Sequence, residues 1–238
     1  MKLAISGTYS SGKTRTVMTL AHYTGIPRTL AKAIRELMPE AVPGKKLAEV
    51  TPSEFLQLMM RRHCGRAVHE ALLGDNFLSD GSSLQEWLYG AARVIHGMNP
   101  NETAEEERPF ADGVTDGEMI FFEKVVAQFG HAFKQHVKGT FDAYVHLRHE
   151  LPIKSDGHRP MNSHFRGTID DMLLGTLDEL EIPYHIVGGS FPERLTKIVE
   201  IFDLPTVMDM ETAITLANEE YAQQDLRLET ERAKAARI

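Results

Sequence analysis

The apolar positions of this chain alternate between two spacings. Lys2-Leu3-Ala4-Ile5-Ser6 is a short, nearly continuous apolar run closed by Gly7, the pattern of a strand covered on both faces. From Thr14 to Thr24 the apolar residues are spaced for a helix instead, so the chain opens as strand, loop, helix. Residues 30–38 predict a further short helix, and Pro39 to Gly44 a loop, since proline ends most helices. Thr51-Pro52-Ser53-Glu54 has the side chains of a capped helix start and leads into Phe55–Leu73. Asn76-Phe77-Leu78-Ser79-Asp80 then predicts a brief strand ending in an acid, followed by a helix from about Ser83 to His96. The acid-rich, proline-containing stretch from Asn99 to Asp116 is expected to be a solvated excursion. Helix returns at about 117–138, a buried strand at Ala143–Leu147, and a helix through Leu180 after the proline-bounded segment 149–161. Tyr184–Val187 is expected to be the last strand and Pro192–Phe202 the last helix of this series.

Strands that alternate with helices predict an α/β fold of three layers around a parallel sheet. Residues 1–205 are expected to form that domain. Residues 207–238 are helical in pattern, highly charged and free of glycine and proline, so residues 206–238 are expected to form an appended C-terminal helix, a surface on which a homodimer could assemble. No internal repeat is apparent.

With 238 residues, 42% hydrophobic and 25% charged, the chain can bury one large core. A formal charge of −8 offers a polyanionic duplex little net attraction, which argues against a nucleic-acid partner. No run reaches the roughly 18 apolar residues that span a bilayer, and the opening residues leave no room for a secretory leader before Gly7. The single cysteine, Cys64, allows no internal disulfide and reads as an inert thiol. The cytoplasm is the expected compartment.

Gly7-Thr8-Tyr9-Ser10-Ser11-Gly12-Lys13-Thr14 is a complete G-x-x-x-x-G-K-[ST] motif set between a strand and a helix. Glycines let such a loop wrap an anion, so that its backbone N–H groups and the helix N-terminus face the phosphates. Gly7, Tyr9, Ser10, Ser11, Gly12, Lys13, Thr14 and Arg15 are therefore the candidate nucleotide-binding residues. Lys13 would reach the β and γ oxygens, and Thr14 would offer its hydroxyl to Mg²⁺. ATP and Mg²⁺ are the ligands this chemistry implies.

In an open α/β sheet ligands sit beyond the carboxyl ends of the strands, and Asp80 ends a strand. It could hold Mg²⁺ through water, accept the proton of an attacking hydroxyl, or cap the following helix. Arg148, Arg159 and Arg166 fall in or beside the proline-bounded segment. Arg159 and Arg166 fit a mobile, arginine-bearing lid that neutralises charge on closing, or surface charges paired with Glu150 and Asp156. The nearby histidines show no metal-ligand spacing and read as solvated or capping residues.

These residues resemble the P-loop nucleoside and small-molecule kinase group, in particular AAA-type ATP-binding proteins similar to the ribosylnicotinamide kinase domain of bacterial NAD regulators. The resemblance spans roughly residues 1–203. It rests on the loop motif, on Ser79-Asp80-Gly81-Ser82-Ser83-Leu84, on Asp156-Gly157-His158-Arg159, and on Gly188 with Glu193-Arg194. It implies a P-loop fold in which Asp80 serves magnesium or the acceptor hydroxyl, lid arginines clamp phosphates, and the loop before the last helix borders the adenine. Related chains often carry a Glu-x-x-Arg element after the first helix. Lys32-Ala33-Ile34-Arg35 stands there in this chain, which favours Asp80 as base and marks Lys32 and Arg35 either as contacts to an anionic substrate or as helix-surface residues.

The acceptor is expected between the helices of residues 30–70 and 83–130, where Phe55, Met59, Arg62, Trp87 and Tyr89 lie. Arg62 or Arg66 could bind a carboxylate or phosphate, and Trp87 could stack on a ring or belong to the core. The expected function is ATP-dependent phosphoryl transfer to a hydroxyl of a small molecule, a nucleoside among the candidates. The alternatives are a regulatory ATPase that controls a partner and a nucleotide-binding scaffold without chemistry.

Overall fold

A computed structural model describes residues 1–100, 114–150 and 160–224, together with Arg227 and Glu231. Four strands, β1 (Lys2–Ser6), β2 (Phe77–Asp80), β3 (Ala143–Leu147) and β4 (Tyr184–Val187), form one sheet in the order β2-β1-β3-β4. All three pairings are parallel, with Ile5 opposite both Asp80 and Val145. The carboxyl ends of β1, β2 and β3 therefore come out side by side.

The helices are α1 (Lys13–Thr24), α2 (Ile34–Ala41), α3 (Pro52–Leu73), α4 (Ser83–His96), α5 (Asp116–Thr140), α6 (Ser163–Glu179), α7 (Phe191–Phe202) and α8 (Met210–Ala222). Successive side chains of a strand point to opposite faces, and the two cores divide accordingly. Ala4, Phe77 and Tyr144 pack with Leu84 and Leu88 of α4 and with Phe165, Ile169 and Leu173 of α6. Leu3, Ile5, Leu78, Val145 and Leu147 pack on the other face with Val17 and Leu20 of α1 and Leu195 and Ile198 of α7. This is the expected three-layer α/β arrangement. A third core, with Met38, Phe55, Met59, Phe122 and Val126, joins α2, α3 and α5 beside it.

One element differs from expectation. The short helix begins at Ile34, not at residue 30, and runs through Pro39 to Ala41. Residues ahead of it are occupied at the free edge of β2, where Leu78 N–H donates to the Pro27 carbonyl and Thr29 N–H to the Leu78 carbonyl. Proline inside the helix costs one backbone bond, and the fully buried Met38 still holds the turn in its core. Within the expected C-terminal helix, α8 packs on α1 through the buried Ala213 and Ala217, and residues 225–226, 228–230 and 232–238 of that expectation lie outside the described residues. Small residues let the two backbones approach. Residues 101–113 of the expected excursion and 151–159 of the expected lid, including Arg159, lie outside the described residues. Among the described residues no helix is long and apolar enough to cross a membrane.

One imidazole gives this core a pH dependence. His63 of α3 stacks on Phe133 with ring centroids 4.1 Å apart, and its Nδ1 lies 2.8 Å from Ser83 Oγ. Burial, reinforced by neighbouring His136, pulls its pKa from 6.5 down to about 4. The fold prefers the neutral ring, so its contribution is complete above pH 6.5 and is lost as pH falls toward about 4. Urea titrations across that window should show stability falling as acid is added, and a His63→Phe variant should show a shallower fall.

Candidate functional site

The loop between β1 and α1 takes a shape few residues allow. Gly7 and Gly12 have φ of 132° and 90°, and Ser10 between them has φ of 62°. A Cβ at Gly7 would lie 2.8 Å from Ser11 Oγ and 3.1 Å from the Leu147 carbonyl oxygen, so only glycine fits there. Gly12 is the N-cap of α1. It supplies no capping side chain, and the first turn of α1 holds no acidic residue. The N-caps of α3, α4, α5, α6 and α8 all accept a backbone N–H with their side chains. No N-cap side chain therefore competes at the start of α1, and the positive end of that helix favours an anion. Lys13 Nζ donates to the Thr8 carbonyl at 3.2 Å, folded over the loop.

Asp80 stands at the carboxyl end of β2, beside this loop. Its Oδ2 accepts from Thr14 Oγ1 at 2.6 Å. The cap of α4 is Ser82, whose Oγ accepts the Leu84 N–H. Asp80 is therefore not spent on capping. Its carboxylate and the Thr14 hydroxyl are adjacent hard oxygens of the kind that hold Mg²⁺. Gly81 follows with φ of 75°, and a Cβ there would overlap the Gln85 amide. Gln85 Nε2 in turn donates to the Gly7 carbonyl at 2.7 Å, tying α4 to the start of the loop.

A polar network braces the loop from behind. Thr8 Oγ1 lies 2.6 Å from His149 Nε2 and accepts from Arg166 Nε at 3.1 Å. His149 pairs with Asp170, while the buried His146 lies 3.2 Å from Ser6 Oγ and 3.7 Å from Asp170 Oδ2. Burial lowers the pKa of His149, with Asp170 opposing. His146 is a buried structural partner of the loop, while His149 pairs with Thr8 and Asp170 and remains partly exposed. Arg166 belongs to the first turn of α6 and is buried, so it sits under the loop and not in a mobile segment. Arg194 completes the brace, donating to the Ser11 and Gly189 carbonyls and to Glu150. Arg15 lies over the Phe191 ring at 4.5 Å.

In front of the loop is a cleft of about 950 Å³. Of the residues singled out from the sequence, Tyr9, Ser10, Gly12, Lys13, Thr14 and Arg15 border it, as do Asp80, Arg35 and Arg62. Gly7 and Ser11 shape the loop from within, and Lys32 is exposed beside the cleft. Trp87 packs against α5, where a Cβ at Gly130 would lie 2.7 Å from its ring. Tyr89, two residues on, faces the cleft and stacks with Tyr9 at 6.4 Å. Sequence reasoning passed over Gln85, Glu86 and Arg93 of α4, Arg28, and Tyr221 and Gln224 at the end of α8, all of which border the cleft. The acid and amide that follow Asp80 by one helical turn were a usable signal for Gln85 and Glu86. Nothing local in the sequence marks residues 221 and 224.

A family model described as an AAA domain matches residues 2–194. A comparison with curated proteins returns no match. Among solved structures, deoxyadenosine kinase from M. mycoides with bound dCTP is similar at a TM-score of 0.51 and 10% identity, over 85% of this chain and 99% of that one. The same enzyme with the products dCMP and a flexible dCDP bound gives a TM-score of 0.47 and 11% identity, over 94% of this chain and 100% of that one. At such identity the first likeness is one of fold. The loop, the sheet order and the match over most of its length place this chain in the AAA-domain family, with the fold of the P-loop nucleoside kinases.

Proposed function

We propose that this protein is an ATP-dependent kinase that transfers the γ-phosphoryl group to a hydroxyl of a nucleoside or similar small metabolite. The observation that carries the reading is the Thr14–Asp80 contact, which sets a carboxylate at the mouth of an uncapped phosphate loop. The cleft of about 950 Å³ is at the upper end of small-molecule sites, roughly 300–1,000 Å³, and so has room for a nucleotide and a small acceptor together. The likeness of fold to a deoxyadenosine kinase supports a nucleoside as acceptor.

In this reading the loop amides and the α1 N-terminus bind the β-phosphate, and Lys13 leaves the Thr8 carbonyl for the γ oxygens. Thr14 and Asp80 would hold Mg²⁺, which when bound supplies charge neutralisation at the phosphate oxygens. The acceptor oxygen forms a bond to the γ-phosphorus as the bond to the β–γ bridging oxygen breaks. The acceptor proton passes to the Asp80 carboxylate, and ADP leaves. Gln85 and the network behind Thr8 keep the loop in its binding shape, so that little ordering remains to be done when ATP arrives.

Acceptor-dependent ADP release, followed by ³¹P spectroscopy across nucleosides, sugars and amino alcohols, tests the activity directly. Equal ADP release with and without acceptor would instead identify a regulatory ATPase. Asp80→Asn should lower kcat by about 10²- to 10⁴-fold while calorimetry shows ATP binding changed only a few-fold. Gly81→Ala should displace Gln85 from Gly7, at a backbone cost of roughly 1–2 kcal/mol. A weaker Kd for ATP and a lower Tm are the expected readouts, and Gln85→Leu should reproduce the first.

A further inference from the structure

The basic groups that α3 and α4 bring to the cleft outnumber the carboxylates available to them. Arg62 and Arg66 both reach the same oxygen of Glu86, at 2.7 and 3.4 Å, so one acid serves two guanidiniums. The Nε of each is buried with no hydrogen-bond partner. Arg66, whose side chain is 2% exposed, turns its other donor to the neutral Ser79 hydroxyl and Gly81 carbonyl. Arg93 is equally buried and donates to the Tyr89 and Met98 carbonyls, with its guanidinium 4.2 Å from the centre of the Phe55 ring. Burial pulls its pKa down to about 10, so it remains a cation at neutral pH.

The other acids of the lining are engaged elsewhere. Asp80 accepts from Thr14, and the exposed Glu36 accepts the Ala33 N–H at the start of α2. A chain with a net charge of −8 thus lines this cleft with seven basic and three acidic residues. Buried cations without matching anions are costly, and in native proteins the compensating charge often arrives with a ligand. In the kinase reading the nucleotide phosphates would be met by Lys13, Arg15 and the α1 amides. Arg62 and Arg66 of α3 and Arg93 of α4 also line the cleft, and their planar guanidiniums suit a carboxylate or phosphate.

We propose that the acceptor carries an oxyanion, a carboxylate or a phosphomonoester, besides the hydroxyl that is phosphorylated, and that Arg62 binds it in a field set by Arg66 and Arg93. This rests on the kinase reading and narrows its substrate class. A neutral nucleoside would leave the excess charge buried. An acceptor with one oxyanion could take up Arg62 and leave Glu86 to Arg66.

The test is turnover of matched acceptors that share a hydroxyl and differ by the anion: ribose against ribose 5-phosphate, glycerol against glycerate, and nucleosides against their 5′-carboxylates. Acceptor-dependent ADP release should favour the anionic members by about 10-fold or more in kcat/KM. Arg62→Gln should raise KM for the anionic acceptor by a similar factor and leave KM for ATP unchanged, with Arg62→Lys recovering part of the loss. Arg93→Lys serves as a second variant should Arg62→Gln fail to fold, and it should shift the same KM. Equal turnover of neutral acceptors, or a rise in KM for ATP alone, overturns the proposal and leaves the kinase standing. ADP release independent of every acceptor overturns the kinase reading, and this proposal falls with it.

Discussion

The uncapped N-terminus of α1 is the constraint around which this molecule is arranged. A helix start normally satisfies some of its free amides with its own N-cap side chain, and five other helices of this chain do so. At α1 the N-cap is Gly12, in a left-handed conformation and with no side chain to accept an amide. The surrounding structure holds the loop in place instead. The loop is fastened on the α4 side by Gln85, on the α6 side by Arg166 and on the α7 side by Arg194. Each of these donors reaches an oxygen of the loop, and within the loop the Ser11 N–H closes a turn on the Thr8 carbonyl.

The sheet makes this fastening possible. Because all four strands are parallel, the helices that follow β1, β2 and β3 start from one edge. The loop after β1, Asp80 at the end of β2 and His146 and His149 around the end of β3 therefore converge without any long excursion of the backbone. Asp170 links the last two to α6. The charged network lies behind the loop, with His146, Arg166, Asp170 and Arg194 buried and His149 and Glu150 exposed, so removing a partner leaves a buried member unmatched.

The phosphate end of the site was legible in the sequence because it is local. Gly7 to Thr14 is eight consecutive residues, and the strand before them and helix after them are readable from apolar spacing alone. Asp80 was legible for a different reason: it ends an apolar run, and parallel topology puts such ends together. Arg166 was read as part of a lid because the prolines and charges of 149–161 suggested a continuous loop, whereas Asn162 caps α6 and places Arg166 within its first turn. Trp87 and Tyr89 stand two residues apart on α4, and only the packing of α5 against that helix decides which of them faces the cleft. The helix at 30–38 was misplaced because edge pairing with β2 is a tertiary contact, with no mark in the local pattern.

The two ends of the cleft therefore differ in how they encode their chemistry. The loop is written in one contiguous motif and lies inside residues 2–194, which match the AAA-domain model. The rest of the cleft lining is drawn from residues 28–35, from α3, from α4, and from Tyr221 and Gln224 beyond the matched span. Glu220 binds both Arg28 and His22, so α8 is held to the segment that lines the cleft and cannot shift without moving it. Single substitutions at any of these separate places can reshape that part of the cleft while the loop stays intact. A shared fold then says little about the acceptor, and the balance of arginine and carboxylate across α3 and α4 says more.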